Sequence, residues 1–368
     1  MLKSFSVEGL NGKLGFSTNF QPDLNLITGR NGSGKTTVLK LLWYMISGNL
    51  ERIPPEITFH TATLVTDNYS LTARAPTPDD QHFHFELSGP NLTACSVGMK
   101  PHERESYPPL QELNNVISSP KLGGSVFFPT FRRIEGGFAM TRVPSEHYYY
   151  PSVGVDEAMA RLSSMLTVDR HRLVASISTN DIVSLLTKEY ADISDMVNQD
   201  HRALTREITS LIEEGQQLTD AGDALASIKK LVGTHSEKQA AFLKPFTTLS
   251  NLIAIIFQHH KGIQVTERIT LGEALGSAEA SIAISSAALS AGEKQMLSFL
   301  AYNAFERSSV IFIDEPEISL HVDWQRLLFK TLLEQGTDNQ FVVATHSPFI
   351  YSKYADKEIL LSPDRGGE

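Results

Sequence analysis

Cysteine is almost absent: Cys95 is the only one in 368 residues. No internal disulfide can form, and the chain suits a reducing, cytoplasmic setting. Nothing near Cys95 would activate a thiol, so it reads as small filler in a loop. Long apolar runs are missing too. Leu252–Phe257, one of the longest, falls far short of the ~20 residues a bilayer-crossing helix needs, so no membrane association is expected. Met1–Val7 lacks the apolar core of a signal peptide and reads as a first strand. Positive charge is also scarce. The 32 Lys and Arg stand against 42 Asp and Glu, a formal net charge of −10. That balance weighs against a basic coat for non-specific nucleic-acid binding, although a local groove stays open. Arg132-Arg133, Arg170-His171-Arg172 and Lys229-Lys230 are the tight basic clusters, each short enough to be a solvated face. The rest is an ordinary globular composition, long enough for two cores.

One segment near the start carries chemistry. Gly29-Arg30-Asn31-Gly32-Ser33-Gly34-Lys35-Thr36-Thr37 fits G-x-x-x-x-G-K-[ST]. Its glycines let backbone N–H groups curl around a polyphosphate, Lys35 neutralises terminal phosphate charge, and the Thr36 hydroxyl can enter a Mg²⁺ shell. Asn31, Gly32, Ser33, Gly34, Lys35, Thr36 and Thr37 are therefore candidate nucleotide-binding residues, with Thr36 also a candidate metal ligand. Leu24–Thr28 reads as a buried strand before the loop and Thr37–Ile46 as a helix beginning at it.

Strand patterns recur at Lys3–Glu8, Leu14–Asn19, Thr58–Thr66, Ser70–Ala75 and His82–Ser88. Seven prolines between Ala75 and Leu122 predict that much of this stretch is loop, before a buried strand at Ser125–Phe128. Residues 1–154 are read as one half of a nucleotide-binding head with a β lobe. From 155 to 262 the pattern turns helical. Ile182, Leu186, Ile193, Val197, Leu204, Ile208 and Leu211 form an apolar stripe interrupted near Asp200-His201. A second stripe follows a reversal at Gly215 and Gly222, giving either a helical arm or lobe or a set of core helices. Residues 263–368 return to strands, at Ile263–Thr266, Ile269–Leu271 and Ser281–Ile284, and then alternate helix and strand. The alternation predicts an α/β fold whose mainly parallel sheet carries helices on both faces, with nucleotide at the carboxyl ends of its strands.

Three later segments fit that site. Ser290 is placed to cap a helix starting at Ala291, an N-terminus that could as readily be a plain cap as an anion contact. Val310–Ile313 is an apolar strand ending in Asp314 and Glu315. Asp314 can hold Mg²⁺, and Glu315 can polarise a water for in-line attack on a γ-phosphate. Strand Gln340–Ala344 leads to His346, whose imidazole can bond the γ-phosphate or orient that water. Glu315 and His346 are the candidate catalytic residues.

In these parts and their order the chain resembles the ABC-type ATPases, and the spellings Asp314–His321 and Thr345–Pro348 resemble the RecF, SMC and OLD branch. That branch includes many ATPase subunits of bacterial anti-phage systems, such as Septu, PARIS and retron-associated ones. The resemblance implies an ABC-type P-loop NTPase head with an antiparallel β lobe and an inserted helical arm. It implies ATP and Mg²⁺ as ligands, and a homodimer or higher homo-oligomer in which two heads sandwich ATP. Ser290, Ala291, Gly292 and Glu293 would then bind nucleotide in trans, with Ala291 and Glu293 departing from the usual glycine and glutamine. His321 takes the place of an aspartate that contacts across the dimer in many transporters, and no glutamine matches the loop that usually senses the γ-phosphate. The chain runs about twenty residues past His346, so a nuclease or toxin effector is expected on a separate polypeptide. The reading that follows is an anti-phage sensor or scaffold ATPase, with a RecF- or SMC-like DNA-repair or chromosome-maintenance ATPase as the alternative.

Overall fold

The computed structural model describes residues 1–12, 14–100, 107–130, 133–134, 155–177, 179–215, 221–256, 263–265, 269–271 and 289–361. Arg132, Gly136-Gly137, the expected strand at Ser281–Ile284 and the tail after Leu361 lie outside them. The chain packs as two units, one of Met1–Ser178 with Ser290–Glu368, the other of Thr179–Leu289. Among the described residues no helix is long and apolar enough to cross a membrane.

Strands β1 (Leu2–Leu10), β2 (Leu14–Asn19) and β3 (Leu24–Thr28) open the first unit. After a helix at Lys35–Ser47 come β4 (Thr61–Thr66), β5 (Ser70–Arg74), β6 (Phe83–Gly89) and β7 (Leu92–Met99). β8 (Gly124–Phe128), β9 (Arg133–Ile134), β10 (His171–Leu173) and β11 (Ser176–Ile177) follow. The second unit holds β12 (Ile263–Val265) and β13 (Ile269–Leu271). The first then resumes with β14 (Ser309–Asp314), β15 (Gln340–Ala344) and β16 (Glu358–Leu360).

Two six-stranded sheets result. One is antiparallel, in the order β2-β1-β4-β5-β6-β7. Its strands alternate: in β6, Phe83, Phe85 and Leu87 are buried while His84 and Glu86 between them are partly exposed, the pattern of a sheet wetted on one face. The other is parallel throughout, in the order β10-β8-β14-β15-β3-β16. Every residue of β3, β8, β14 and β15 is buried, as expected of strands covered on both faces. The Lys35–Ser47 helix shares one core with both sheets, which joins Phe5, Phe59 and Phe85 to Phe127, Phe312 and Val342. It ends at Gly48 in the left-handed region, φ 70°, where a Cβ would meet the Asn114 carbonyl oxygen at 2.6 Å.

The proline-rich stretch is more ordered than its sequence predicts. β7 pairs with β6, which places Cys95 on an exposed strand position rather than in a loop. Pro108 and Pro109 begin a helix, Pro108–Ile117, instead of breaking one. In a first turn no intrahelical partner is needed for the N–H that proline lacks.

In the second unit, Thr179–Gly215 and Ala221–Ile256 are helices of 37 and 36 residues. They run antiparallel: Tyr190 meets Phe246 edge-on at 5.7 Å, and Asp200 meets His235. The break in the apolar stripe at Asp200-His201 is filled by polar pairing across the hairpin. His235 Nδ1 lies 2.6 Å from Asp200 Oδ2, and Gln239 Nε2 lies 3.1 Å from His201 Nε2. A short antiparallel pair, β12 and β13, completes what is described of this unit.

Candidate nucleotide site

β3 stops at Thr28 and the Gly29–Gly34 loop turns directly into the helix at Lys35. Gly29, Gly32 and Gly34 have φ of 150°, 77° and 93°, which L side chains rarely adopt. Gly34 is the N-cap and has no capping side chain, so the first helical N–H groups stay open toward the loop. Lys35 is buried, and its Nζ donates to the carbonyls of Gly29 and Arg30, both at 2.9 Å. Burial lowers its pKa, opposed by the carboxylates of Glu315, Asp314 and Glu317. Ser33 Oγ is buried with no hydrogen-bond partner among the described residues. An orphaned hydroxyl inside a cradle of open backbone N–H groups fits a polyphosphate. Asn31 and Gly32 are exposed, and Thr36 and Thr37 half-buried.

The sheet register brings the other candidates to the same edge. Ala344 of β15 pairs with Ile27 of β3 on one side and Asp314 of β14 on the other. Asp314 is almost wholly buried and accepts a short hydrogen bond from the Thr130 hydroxyl, just past the end of β8. Glu315 follows at φ 48°, its N–H donating to the Ala344 carbonyl at 2.8 Å. A left-handed glutamate is strained, and here it turns the chain sharply out of the strand. Burial raises the Glu315 pKa, as do the Asp314 and Glu317 carboxylates, against the pull of His346 and Lys35. His346 Nε2 lies 3.8 Å from Glu315 Oε1. Lys35, the Asp314-Glu315 pair and His346, distant in sequence from one another, thus meet at one end of the sheet.

Ser290–Glu293 are arranged differently. Ser290 Oγ accepts from Glu293 N at 3.3 Å, and Glu293 Oε2 accepts from Ser290 N at 2.5 Å, a reciprocal capping box. Ser290 and Ala291 are exposed, while Gly292 and Glu293 are buried. Among the described residues no hydrogen bond or ion pair joins these four to the Gly29–Thr37 loop. The helix they begin instead grips the turn after Glu315: Gln295 Nε2 donates to the Pro316 carbonyl at 2.8 Å, and a Cβ on Gly292 would meet the Ser319 carbonyl oxygen at 2.4 Å. At its far end Asn339 Nδ2 donates to the Glu306 carbonyl at 2.6 Å, anchoring the helix to the sheet. His321 is an exposed N-cap of the Val322–Glu334 helix, accepting from Asp323 N at 3.4 Å.

Two residues escaped the sequence reading. Thr130 lies just past β8; the adjacency of β8 and β14, invisible in one dimension, places it on Asp314. Glu317 accepts from the Thr345 hydroxyl at 2.9 Å and from His346 N at 2.6 Å. Its signal was only its place two residues after Glu315.

A parallel sheet of this order, with a glycine-rich loop after β3, an acidic end on β14 and a histidine after β15, defines a P-loop NTPase head of the ABC type. The family described as "AAA domain, putative AbiEii toxin, Type IV TA system" matches residues 167–352, and a second AAA domain family matches residues 4–89. The first match spans just over half of the chain, and the chain belongs to that family. Endonuclease GajA of Bacillus cereus (strain VD045) is 46% identical over 63 residues, 16% of this chain but only 11% of GajA. The retron Vc95 probable ATPase of Vibrio cholerae serotype O1 biovar El Tor is 21% identical over 379 residues, 93% of this chain and 69% of that protein. The Smc head domain from Pyrococcus furiosus, solved with an extended coiled coil and bound to the C-terminal domain of ScpA, is 14% identical. It matches with a TM-score of 0.40 over 95% of this chain and 91% of that one.

Proposed function

We propose that this chain hydrolyses ATP in a dimer of its own heads and serves as the sensor or scaffold subunit of an anti-phage defence system, controlling a separate effector such as a nuclease or toxin. The observation that carries the reading is the meeting of Lys35, Asp314, Glu315 and His346 at the carboxyl edge of the parallel sheet. The backbone of Asn31–Gly34, with the Ser33 hydroxyl and Lys35, binds the phosphates; Thr37 lies beside them in the first turn. The Thr36 hydroxyl and the Asp314 carboxylate would hold Mg²⁺, which when bound neutralises charge on the phosphate oxygens. Glu315 accepts a proton from water as the water oxygen bonds to the γ-phosphorus. The bond to the β–γ bridging oxygen breaks, and ADP and phosphate leave. A raised pKa makes Glu315 a better base than an ordinary glutamate. His346, beside it, orients the water or the γ-phosphate.

The exposed Ser290 and Ala291, at a helix N-terminus, are suited to meet nucleotide held by a second copy, with Gly292 and Glu293 shaping that end from within. The defence role draws support from family membership and from the likeness to a retron ATPase across most of the chain. The purified protein should turn over ATP only with Mg²⁺. Expressed with the gene beside it, it should restrain or release a nuclease or toxin according to whether Lys35 is intact. A neighbouring effector indifferent to Lys35→Ala would overturn the defence assignment, and absent turnover would overturn hydrolysis.

A further inference from the structure

We infer that Glu317 is a positioning residue for hydrolysis, its carboxylate holding the Thr345–His346 backbone so that the imidazole stays beside Glu315. The inference rests on the ATPase reading above. Both carboxylate oxygens are engaged, one by the His346 N–H at 2.6 Å and the other by the Thr345 hydroxyl at 2.9 Å. Thr345 Oγ1 in turn accepts from Ser347 N at 3.0 Å, so the chain on both sides of His346 is fixed. With its backbone pinned, the ring reaches Glu315 through its own side-chain torsions alone, and Nε2 comes within 3.8 Å of Oε1.

A fold-stabilising staple alone does not account for this choice of residue. Glu317 adds a third carboxylate to the turn that already carries Asp314 and Glu315. Placing like charges together opposes folding, and a neutral amide could hold the turn through one oxygen. Taking the two donors on two separate oxygens requires the carboxylate, and charge-assisted bonds of this kind hold geometry tightly.

The turn that carries Glu317 is also gripped from its other side. It is bounded by two strained residues, Glu315 at φ 48° and Ser319 at φ 68°. Between them Gln295 holds the Pro316 carbonyl, and Gly292 packs on the Ser319 carbonyl. Glu317 therefore links the helix beginning at Ala291 to the histidine within one subunit.

The test is a double-mutant cycle on the full-length protein, read as kcat, KM and ATP affinity. Glu317→Ala should lower kcat about tenfold or more with ATP affinity changed less than about threefold, and Glu317→Gln should recover part of the loss. In a His346→Ala background, Glu317→Ala should cost less than about threefold further, because a residue acting through His346 has nothing left to position. Fully additive losses, or a fall in ATP affinity matching the fall in kcat, would overturn the inference. If Glu317→Ala fails to fold, Glu317→Gln carries the same cycle. Wild-type turnover untouched by either Glu317 variant defeats this inference alone, whereas a wild-type protein that does not hydrolyse ATP defeats the ATPase reading and this inference with it.

Discussion

His346 Nε2 stands 3.8 Å from Glu315 Oε1, although thirty residues of helix and strand separate them in the chain. The pair forms because β14 and β15 are neighbours in parallel register and both end at the same edge. A carboxylate and an imidazole at one strand edge suit water attack on a phosphate, and the expected outcomes follow from that placement.

Glu315→Gln keeps the size of the side chain and removes the proposed base. ATP turnover should fall about 100-fold or more, ATP binding should persist, and with ATP the protein should shift to a dimer or larger assembly in light scattering. Turnover at the wild-type rate would take Glu315 out of this role. The pKa direction adds a stability test. A carboxyl raised above its ordinary 4.5 holds its proton more tightly folded than unfolded. Stability is therefore lost as pH rises from that ordinary value through the raised one. At neutral pH Glu315→Gln should accordingly melt higher than the wild type.

Lys35→Ala should abolish ATP binding in calorimetry, because it removes the buried ammonium that contacts the loop. Ser290→Arg should leave ATP binding intact and block turnover. Mixed together, the two inactive proteins should regain part of the ATPase rate, since one composite site per heterodimer keeps both residues. No recovery at any mixing ratio would count against the two-subunit site.

Gly292→Ala should destabilise the first unit by roughly 1–3 kcal/mol, the usual cost of forcing a methyl group into a packed site. The added Cβ has 2.4 Å to the Ser319 carbonyl oxygen, where backbone must move. Thermal unfolding measures this directly, and an unchanged melting temperature would show that the Ser319 turn yields freely.

His171 provides a pH test away from the nucleotide site. Burial, and secondarily the Arg170 cation, hold its pKa down to about 4. Its Nδ1 pairs with Ser125 Oγ at 2.8 Å, and its buried Nε2 has no hydrogen-bond partner among the described residues. The unfolded chain binds the proton more readily, so stability is full above about pH 6.5 and is lost as pH falls toward 4. The loss should be roughly 2–3 kcal/mol. In melts from pH 8 to 4, His171→Gln should lack this component, and its stability gap from wild type should narrow on acidification. A constant gap would mean that His171 takes up its proton equally readily in the folded and unfolded chains.

The strands of the parallel sheet were legible because burial on both faces leaves runs such as Val310–Ile313 with little choice but apolar residues. β7 was not. Leu92–Met99 is mostly exposed along its first half, so alternation gives no strong signal, and pairing with β6 is what orders it. Pro108 and Pro109 misled for a related reason: a proline pair breaks a helix interior but starts a helix equally well, and only the packing of Leu110, Leu113 and Ile117 decides which. The interrupted stripe at Asp200-His201 acquired its meaning only when His235 was found facing it.

The phosphate loop, the acidic pair and the histidine were determined by the sequence alone, because each is a short contiguous segment whose chemistry demands particular residues in a particular order. The tertiary structure alone decided which groups steady them. Thr130 reaches Asp314 across 184 positions of chain, Glu317 reaches Thr345 and His346, and Gly292 packs against Ser319. Such contacts depend on which strands become neighbours and how sharply a turn bends. Those outcomes come from burying the whole core at once, and no single segment encodes them.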